Sequence, residues 1–229
     1  MLKIRIKRRI FDLFALRCEF ILLLSDKTGK RMRAHISVIS GDLVNSRRLD
    51  TANYISGLQG LLKRLQQTNQ IQRFEIFRGD AFQAEAKQED GLLLAVYIRI
   101  ALKAMDAAAW DARIAVGLGS KQTQAAGYGS AFVNSGAALD AMTKNCRLAL
   151  KTDNDRTNAI VSDLLPMLDH VIGRLSQAEA RIVQARIFAG SNAEVALRLQ
   201  KAASTVSATL KRAAYEEMMR FIHAINGIT

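Results

Sequence analysis

The order of hydrophobic periods between residues 35 and 118 constrains this chain more than any other feature. Alternation with period two marks strands, and apolar residues three or four apart mark helices. Residues 35–40, H-I-S-V-I-S, read as a strand ending at Gly41-Asp42. Residues 51–67 place Ile55, Leu58, Leu61, Leu62 and Leu65 on one helical stripe. Two alternating runs, 72–77 and 81–87, flank Arg78-Gly79-Asp80 as a β-hairpin. Residues 91–105 read as a second helix, with Leu94, Ile98, Ala101 and Leu102 on one side. Over 112–118, Ile114, Val116 and Leu118 alternate with Arg113, Ala115 and Gly117 in a further strand. The order β-α-β-β-α-β predicts a ferredoxin-like α+β sheet.

That topology has a chemical consequence. A right-handed crossover sets the first two strands parallel, and the hairpin returns the third antiparallel between them. The end of the first strand and the hairpin tip then share one edge, which brings Asp42 to Asp80. Two carboxylates so placed bind a cation, share a proton or stand apart through water. Magnesium is the natural cation, because it takes oxygen ligands and pairs with phosphates. Turn chemistry alone also explains each aspartate, since Asp suits tight turns and bonds its own backbone. Both readings stand at this point. An Arg-Gly-Asp adhesion motif is discounted, because the context reads as intracellular.

With 229 residues, 49% of them hydrophobic, the chain has material for one large core or two modest ones. Cys18 and Cys146 lack Cys-x-x-Cys spacing, which excludes a thiolate zinc site and a disulfide scaffold. Such sparse cysteine use fits a reducing cytoplasm. His35, His170 and His223 have no second ligand at helical spacing, which argues against a histidine metal site. The net charge of +12 is unevenly spread. Residues 1–31 hold nine basic and three acidic side chains, 32–160 hold sixteen and twelve, and 161–229 hold eight and six. Most of the body is near balance, so the total is a weak nucleic-acid signal.

Residues 1–31 form a basic start with an apolar continuation, interrupted by Asp12, Arg17 and Glu19. No run reaches the ~18–20 apolar residues of a spanning helix. No small-residue cleavage site follows Ser25. Ile10, Leu13, Phe14, Ile21 and Leu24 share a helical face, so one reading is a basic amphipathic helix on a membrane or partner. The preferred reading is upstream sequence joined by a misassigned start, with Met32 as the true one. A membrane partner is expected only if the leader is real.

Beyond residue 119 lies a polar, glycine-containing loop, then a helix over 131–142 and a strand over 146–151. Gly117-Leu-Gly119 lacks the third glycine of a dinucleotide fingerprint, and no phosphate-binding P-loop or nucleophile elbow occurs. The polar run 152–158 marks a boundary before an all-helical part. Ser176-x-x-Glu179 and Ser191-x-x-Glu194 are capping-box patterns, and Gly190 stops the first of their helices. A short helix over 192–199, a break at 200–202 and a longer helix over 203–224 give a helix-turn-helix layout. Val195, Ala196, Leu199, Val206 and Leu210 would form its core. The expected organisation is a leader (1–31), an α+β domain (32–151) and a helix-turn-helix domain (160–229).

Four stretches, I-S-V-I-S-G-D-L-V-N-S-R-R-L, F-E-I-F-R-G-D-A-F-Q, R-I-A-V-G-L-G and G-S-A-F-V-N-S-G-A-A-L-D, together resemble the bacterial SatD-like family. The resemblance runs from Ala34 to the C-terminus. It implies a front half similar to class III nucleotidyl cyclases, whose two metal-binding aspartates fall on Asp42 and Asp80. The asparagine of the cyclase helix falls on Asn134, which the resemblance assigns to ligand binding. The base-reading lysine falls on Ile76, and the arginine that stabilises phosphate charge falls on Ala138. No acidic base-reader stands in 126–130. Losing one such electrostatic stabiliser costs on the order of 100- to 1000-fold in rate, so no efficient cyclase is expected.

The tail, E-V-A-L-R-L followed by S-T-V-S-A-T-L-K-R-A, is similar to the DNA-binding helix-turn-helix of sigma factors. Gln200 stands where a glycine is usual and Lys201 where an apolar residue is usual. Ser204, Ser207, Lys211 and Arg212 are the expected DNA-facing residues, and the last two suit phosphates.

The sequence thus points to a cytoplasmic bacterial regulator that couples ligand or magnesium sensing to double-stranded DNA. The ligand would be a nucleotide or another phosphorylated molecule, and the chain a homodimer. A magnesium-dependent enzyme acting on nucleotides is one alternative. A non-catalytic interaction or structural protein is the other.

Overall fold

The computed structural model describes residues 34–44, 51–77, 80–105, 110–121 and 128–229. The leader, Arg78 and Gly79 of the hairpin tip, and most of the glycine-containing loop lie outside them. Five strands are β1 (Ala34–Leu43), β2 (Arg73–Phe77), β3 (Ala81–Lys87), β4 (Ala112–Lys121) and β5 (Leu148–Lys151). Interleaved with them are α1 (Thr51–Gln67), α2 (Gly91–Met105) and α3 (Ser130–Ala141). The tail holds α4 (Asp155–Arg174), α5 (Gln177–Ile187), α6 (Asn192–Leu199), α7 (Ala203–Arg212) and α8 (Tyr215–Asn226). The fold is α+β: a mixed sheet with interleaved helices, followed by a run of helices.

The sheet order is β2-β3-β1-β4-β5. β3 lies antiparallel between β2 and β1, β4 pairs antiparallel with β1, and β5 runs parallel to β4. The ferredoxin-like order read from the hydrophobic periods therefore holds. Both α1 and α2 begin and end where their stripes do. β1 and β4 run longer than the alternation suggested, because ladder bonds extend β1 to Leu43 and β4 to Lys121, whereas β2 and β5 start later than expected, at Arg73 and Leu148.

Each face of the sheet has its own cover. Ile39 and Leu43 of β1, with Phe82 and Ala84 of β3, join the large core that includes α1 and α2. On the opposite face, Ala131 of α3 packs with Ile36 and Val38, and Ala138 with Ala115 and Met142. Gly117 makes this approach possible. A Cβ there would run into the Ala131 carbonyl and the Ser135 amide.

α2 is buried nearly all round, including Arg99 and Lys103. The tail supplies the missing cover. Arg181 Nε donates to the Ala104 carbonyl at 3.0 Å, and Lys103 Nζ to the Gly173 carbonyl at 3.3 Å. Residues 34–229 form one compact unit with a core that runs from the sheet into α8. Among the described residues, no helix is long and apolar enough to cross a membrane.

Two expected boundaries shift. The longer helix over 203–224 is two helices, because Ala214 adopts a left-handed conformation at φ 53°. That turn seats Tyr215 in the core, with the Arg186 guanidinium 5.4 Å from its ring centroid. The polar run 152–158 is less a linker than a helix start: Asn154 caps α4 by accepting from the Thr157 amide at 3.0 Å. At the other two caps, Ser176 and Glu179 form a full capping box on α5. Ser191 accepts from the Glu194 amide, but Glu194 turns its carboxylate to the Gly190 amide at 2.9 Å.

Candidate functional site

Register brings the two aspartates to one place. Asp42 pairs in the ladder with Ala81, the residue after Asp80, and the Leu43 amide donates to the Asp80 carbonyl at 2.9 Å. Both aspartates line one cavity of about 550 Å³ at the sheet edge. The remaining charged lining is basic: Arg113, Lys144 and Arg147.

Asp42 is already engaged. Arg113 stands directly opposite it across the β1–β4 ladder and grips the carboxylate at two points. Nε donates to Oδ1 at 2.9 Å, and Nη2 donates to Oδ2. This bond, more than the partial burial that opposes it, raises the Arg113 pKa above its ordinary value.

A magnesium-type ion takes one or two carboxylates and completes its shell with water and phosphate oxygens. Here both Asp42 oxygens accept from arginine. Among the described residues, no group of three His, Cys, Asp or Glu could hold a metal. The lining has three cationic side chains against two carboxylates. Such a donor set does not fit a cation held by protein alone. It fits an anion, or a cation delivered on one.

Asn134 is not brought to this cavity. Its amide nitrogen donates to the Leu118 carbonyl at 2.9 Å and to Asp153 Oδ1 at 2.8 Å, tying α3 to β4 and to the residue after β5. Leu118 lies opposite Ser37 in the ladder, five positions from Asp42, or roughly 16 Å along the strand. Within one chain Asn134 therefore acts as a packing clamp. Ile76 and Ala138 also point inward. Ile76 packs against the large core, and Ala138 is buried on the side of α3 that packs on Ala115.

In the tail, α6 and α7 are joined through Gln200, whose φ of 51° is left-handed. Its amide still reaches Leu197, and the Lys201 amide bonds the Ala196 carbonyl at 3.0 Å. The backbone thus makes the glycine-type turn with glutamine in it. Val195, Val206 and Leu210 are buried between the helices, as their spacing implies. Ser204, Ser207, Lys211 and Arg212 are all exposed. Ser207 faces Asn192, whose Nδ2 lies 3.3 Å from its hydroxyl, and Arg212 Nε lies 3.6 Å from Glu179 Oε1.

Sequence reasoning missed Arg113, Lys144 and Arg147. For Arg113 a signal existed: it lies on the same alternating face as Ala115 and Gly117. Lys144 and Arg147 reach the cavity only through the path of the loop into β5, which no local pattern encodes. It also missed the triad of a buried Arg99 with the partly buried Asp111 and Asp169. Arg99 Nε and Nη2 each donate to Asp111 at 2.9 Å, and Nη1 donates to Asp169 Oδ1 at 2.7 Å. A lone arginine inside I-R-I-A-L was the available clue, because a buried arginine needs carboxylate partners.

Compared with protein families, curated proteins and solved structures, the chain matches none. The resemblance drawn above rests on its sequence stretches alone.

Proposed function

We propose that this protein is a regulator that binds a phosphorylated ligand at the Asp42–Asp80 edge and contacts DNA through α6 and α7. A nucleotide is the preferred ligand class. The observation that carries the reading is the cavity itself, where two carboxylates and three cationic side chains converge from β1, the turn before β3, β4 and the loop into β5. Phosphate oxygens suit Lys144, Arg147 and Arg113, the last released from Asp42. Asp42 and Asp80 would hold a magnesium ion arriving on those phosphates, which would neutralise part of the ligand's charge. Turnover is not part of the proposal, because Ile76 and Ala138 pack inward where a cyclase needs polar groups.

The test is a melting-curve titration of the full chain with ATP, with and without magnesium. Saturation at a hundred times the dissociation constant stabilises by about 2.7 kcal/mol, or roughly 5–10 °C for a chain of this size. Asp80→Asn should remove the magnesium-dependent part, and Lys144→Gln should weaken the ATP-dependent part. A parent protein whose melting curve never moves overturns the ligand reading.

One observation favours a second reading for the tail. Leu197 on α6 is 82% exposed, and an apolar side chain there suits a protein surface better than a phosphate backbone. Under that reading α6 and α7 form an interaction module.

A further inference from the structure

A second cavity, of about 630 Å³, adjoins the first and shares Arg147 with it. One wall is the loop into β5, with Thr143, Asn145 and Cys146; the other is α4, with Asp169, His170 and Arg174. Its floor is the Arg99 triad. Both floor carboxylates are spent: Asp111 on Arg99, and Asp169 on Arg99 and the Arg147 amide, the latter at 2.7 Å. The triad is thus internally satisfied and offers an incoming cation nothing. By contrast, no hydrogen bond or ion pair among the described residues engages the side chains of Lys144, Arg147 or Arg174. These cations run from the first cavity through the shared Arg147 to the end of α4.

We infer that the ligand carries two separated anionic groups, one in each cavity, with the Arg147 guanidinium between them. This rests on the phosphorylated-ligand reading and narrows it. One guanidinium presents five donors in a planar fork and serves two anionic groups at once. Its main chain is held on both sides. The Arg147 amide is bound by Asp169, and its carbonyl accepts from the Ile114 amide at 2.9 Å. The side chain therefore pivots from a fixed base, and only a ligand lying across it fills both cavities. Such a ligand touches α4 directly, so its binding reaches the first helix of the tail without a hinge.

The experiment compares inorganic orthophosphate with tripolyphosphate by calorimetric titration of the full chain. The variants are Lys144→Gln, Arg147→Gln, Arg174→Gln and a surface control, Arg156→Gln. Arg174 and Arg156 are exposed, so neither change threatens folding. Arg174→Gln should weaken tripolyphosphate roughly tenfold and leave orthophosphate unchanged, since one charged hydrogen bond is lost. Lys144→Gln and Arg147→Gln should weaken both probes, and Arg156→Gln neither. If Arg174→Gln behaves like Arg156→Gln while Lys144→Gln still weakens both probes, the second cavity plays no part and only this inference falls. If neither probe binds the parent protein, the proposed ligand site falls with it.

Discussion

Arg99 and Asp169 meet across the seam between α2 and α4, with Nη1 2.7 Å from Oδ1 and the arginine wholly buried. Asp111 completes the arrangement at 2.9 Å. Burial acts to lower the Arg99 pKa, but the bonds and charges of Asp111 and Asp169 outweigh it and the net shift is upward. A charge pulled from water this completely ties together any element that carries one of its partners. Here it ties the sheet layer to the tail.

Breaking one arm should therefore weaken the whole unit. Asp169→Ala leaves Arg99 with Asp111 alone and frees the Arg147 amide. A loss of about 3 kcal/mol is expected, the lower end of the range for disrupting a buried pair. A urea midpoint measured at unchanged slope checks it. A loss under about 1 kcal/mol would show that α4 docks by apolar packing alone.

Gln200 holds a left-handed conformation that costs a residue with a Cβ about 1 kcal/mol relative to glycine. Gln200→Gly should stabilise the chain by roughly that amount, raising Tm by about 2–4 °C. It should leave DNA retention unchanged, because the backbone is already in the turn. A lower Tm would mean that the glutamine side chain makes a compensating contact.

The capping box on α5 predicts a pH dependence. The Ser176 amide, then the Ser176 hydroxyl and Arg212, hold the Glu179 carboxyl below its ordinary pKa. The folded chain thus binds this proton less tightly than the unfolded chain. Its stabilisation is complete above the unfolded value near 4.5 and is lost as pH falls through the lower folded value. Ser176→Ala should cost about 1 kcal/mol at pH 7. The difference between parent and Glu179→Gln should shrink in acid, which melting curves across that range would show.

If the tail holds DNA, retention should fall steeply with salt, at a log–log slope of about −0.9 per phosphate contact. Changing Lys211 and Arg212 together to Ala should flatten that slope by about two and weaken all sequences alike. Arg212 also lies beside Glu179, so a melting curve must accompany the variant. A folded parent protein with no DNA retention at low salt would favour the interaction module built around Leu197.

What could be read in advance followed the reach of each signal. α1 and α2 were legible because an amphipathic stripe is local, and the ladder order followed from strand direction and connection length. That logic also placed Asp42 near Asp80. The break at Ala214 was not legible, since Ala213-Ala214 contains no helix breaker and the turn is set by the distant seat of Tyr215. The basic rim was hidden for a similar reason. Arg113 meets Asp42 only through register, and Lys144 and Arg147 arrive only when the β5 loop closes. Asn134 shows the converse: a motif position carried over by resemblance is here spent on packing.

The apolar circumference of α2 also sets a clock on synthesis. Its outer side is covered by α5, which ends at Ile187, about eighty residues after α2 ends at Met105. At ~5–20 residues per second, a ribosome needs roughly 4–16 s to supply that cover. For that interval the nascent sheet layer presents an uncovered helix face, a natural target for holding chaperones. The yield of folded protein in a cell should therefore respond to translation speed across residues 106–187, even where the finished chain is equally stable.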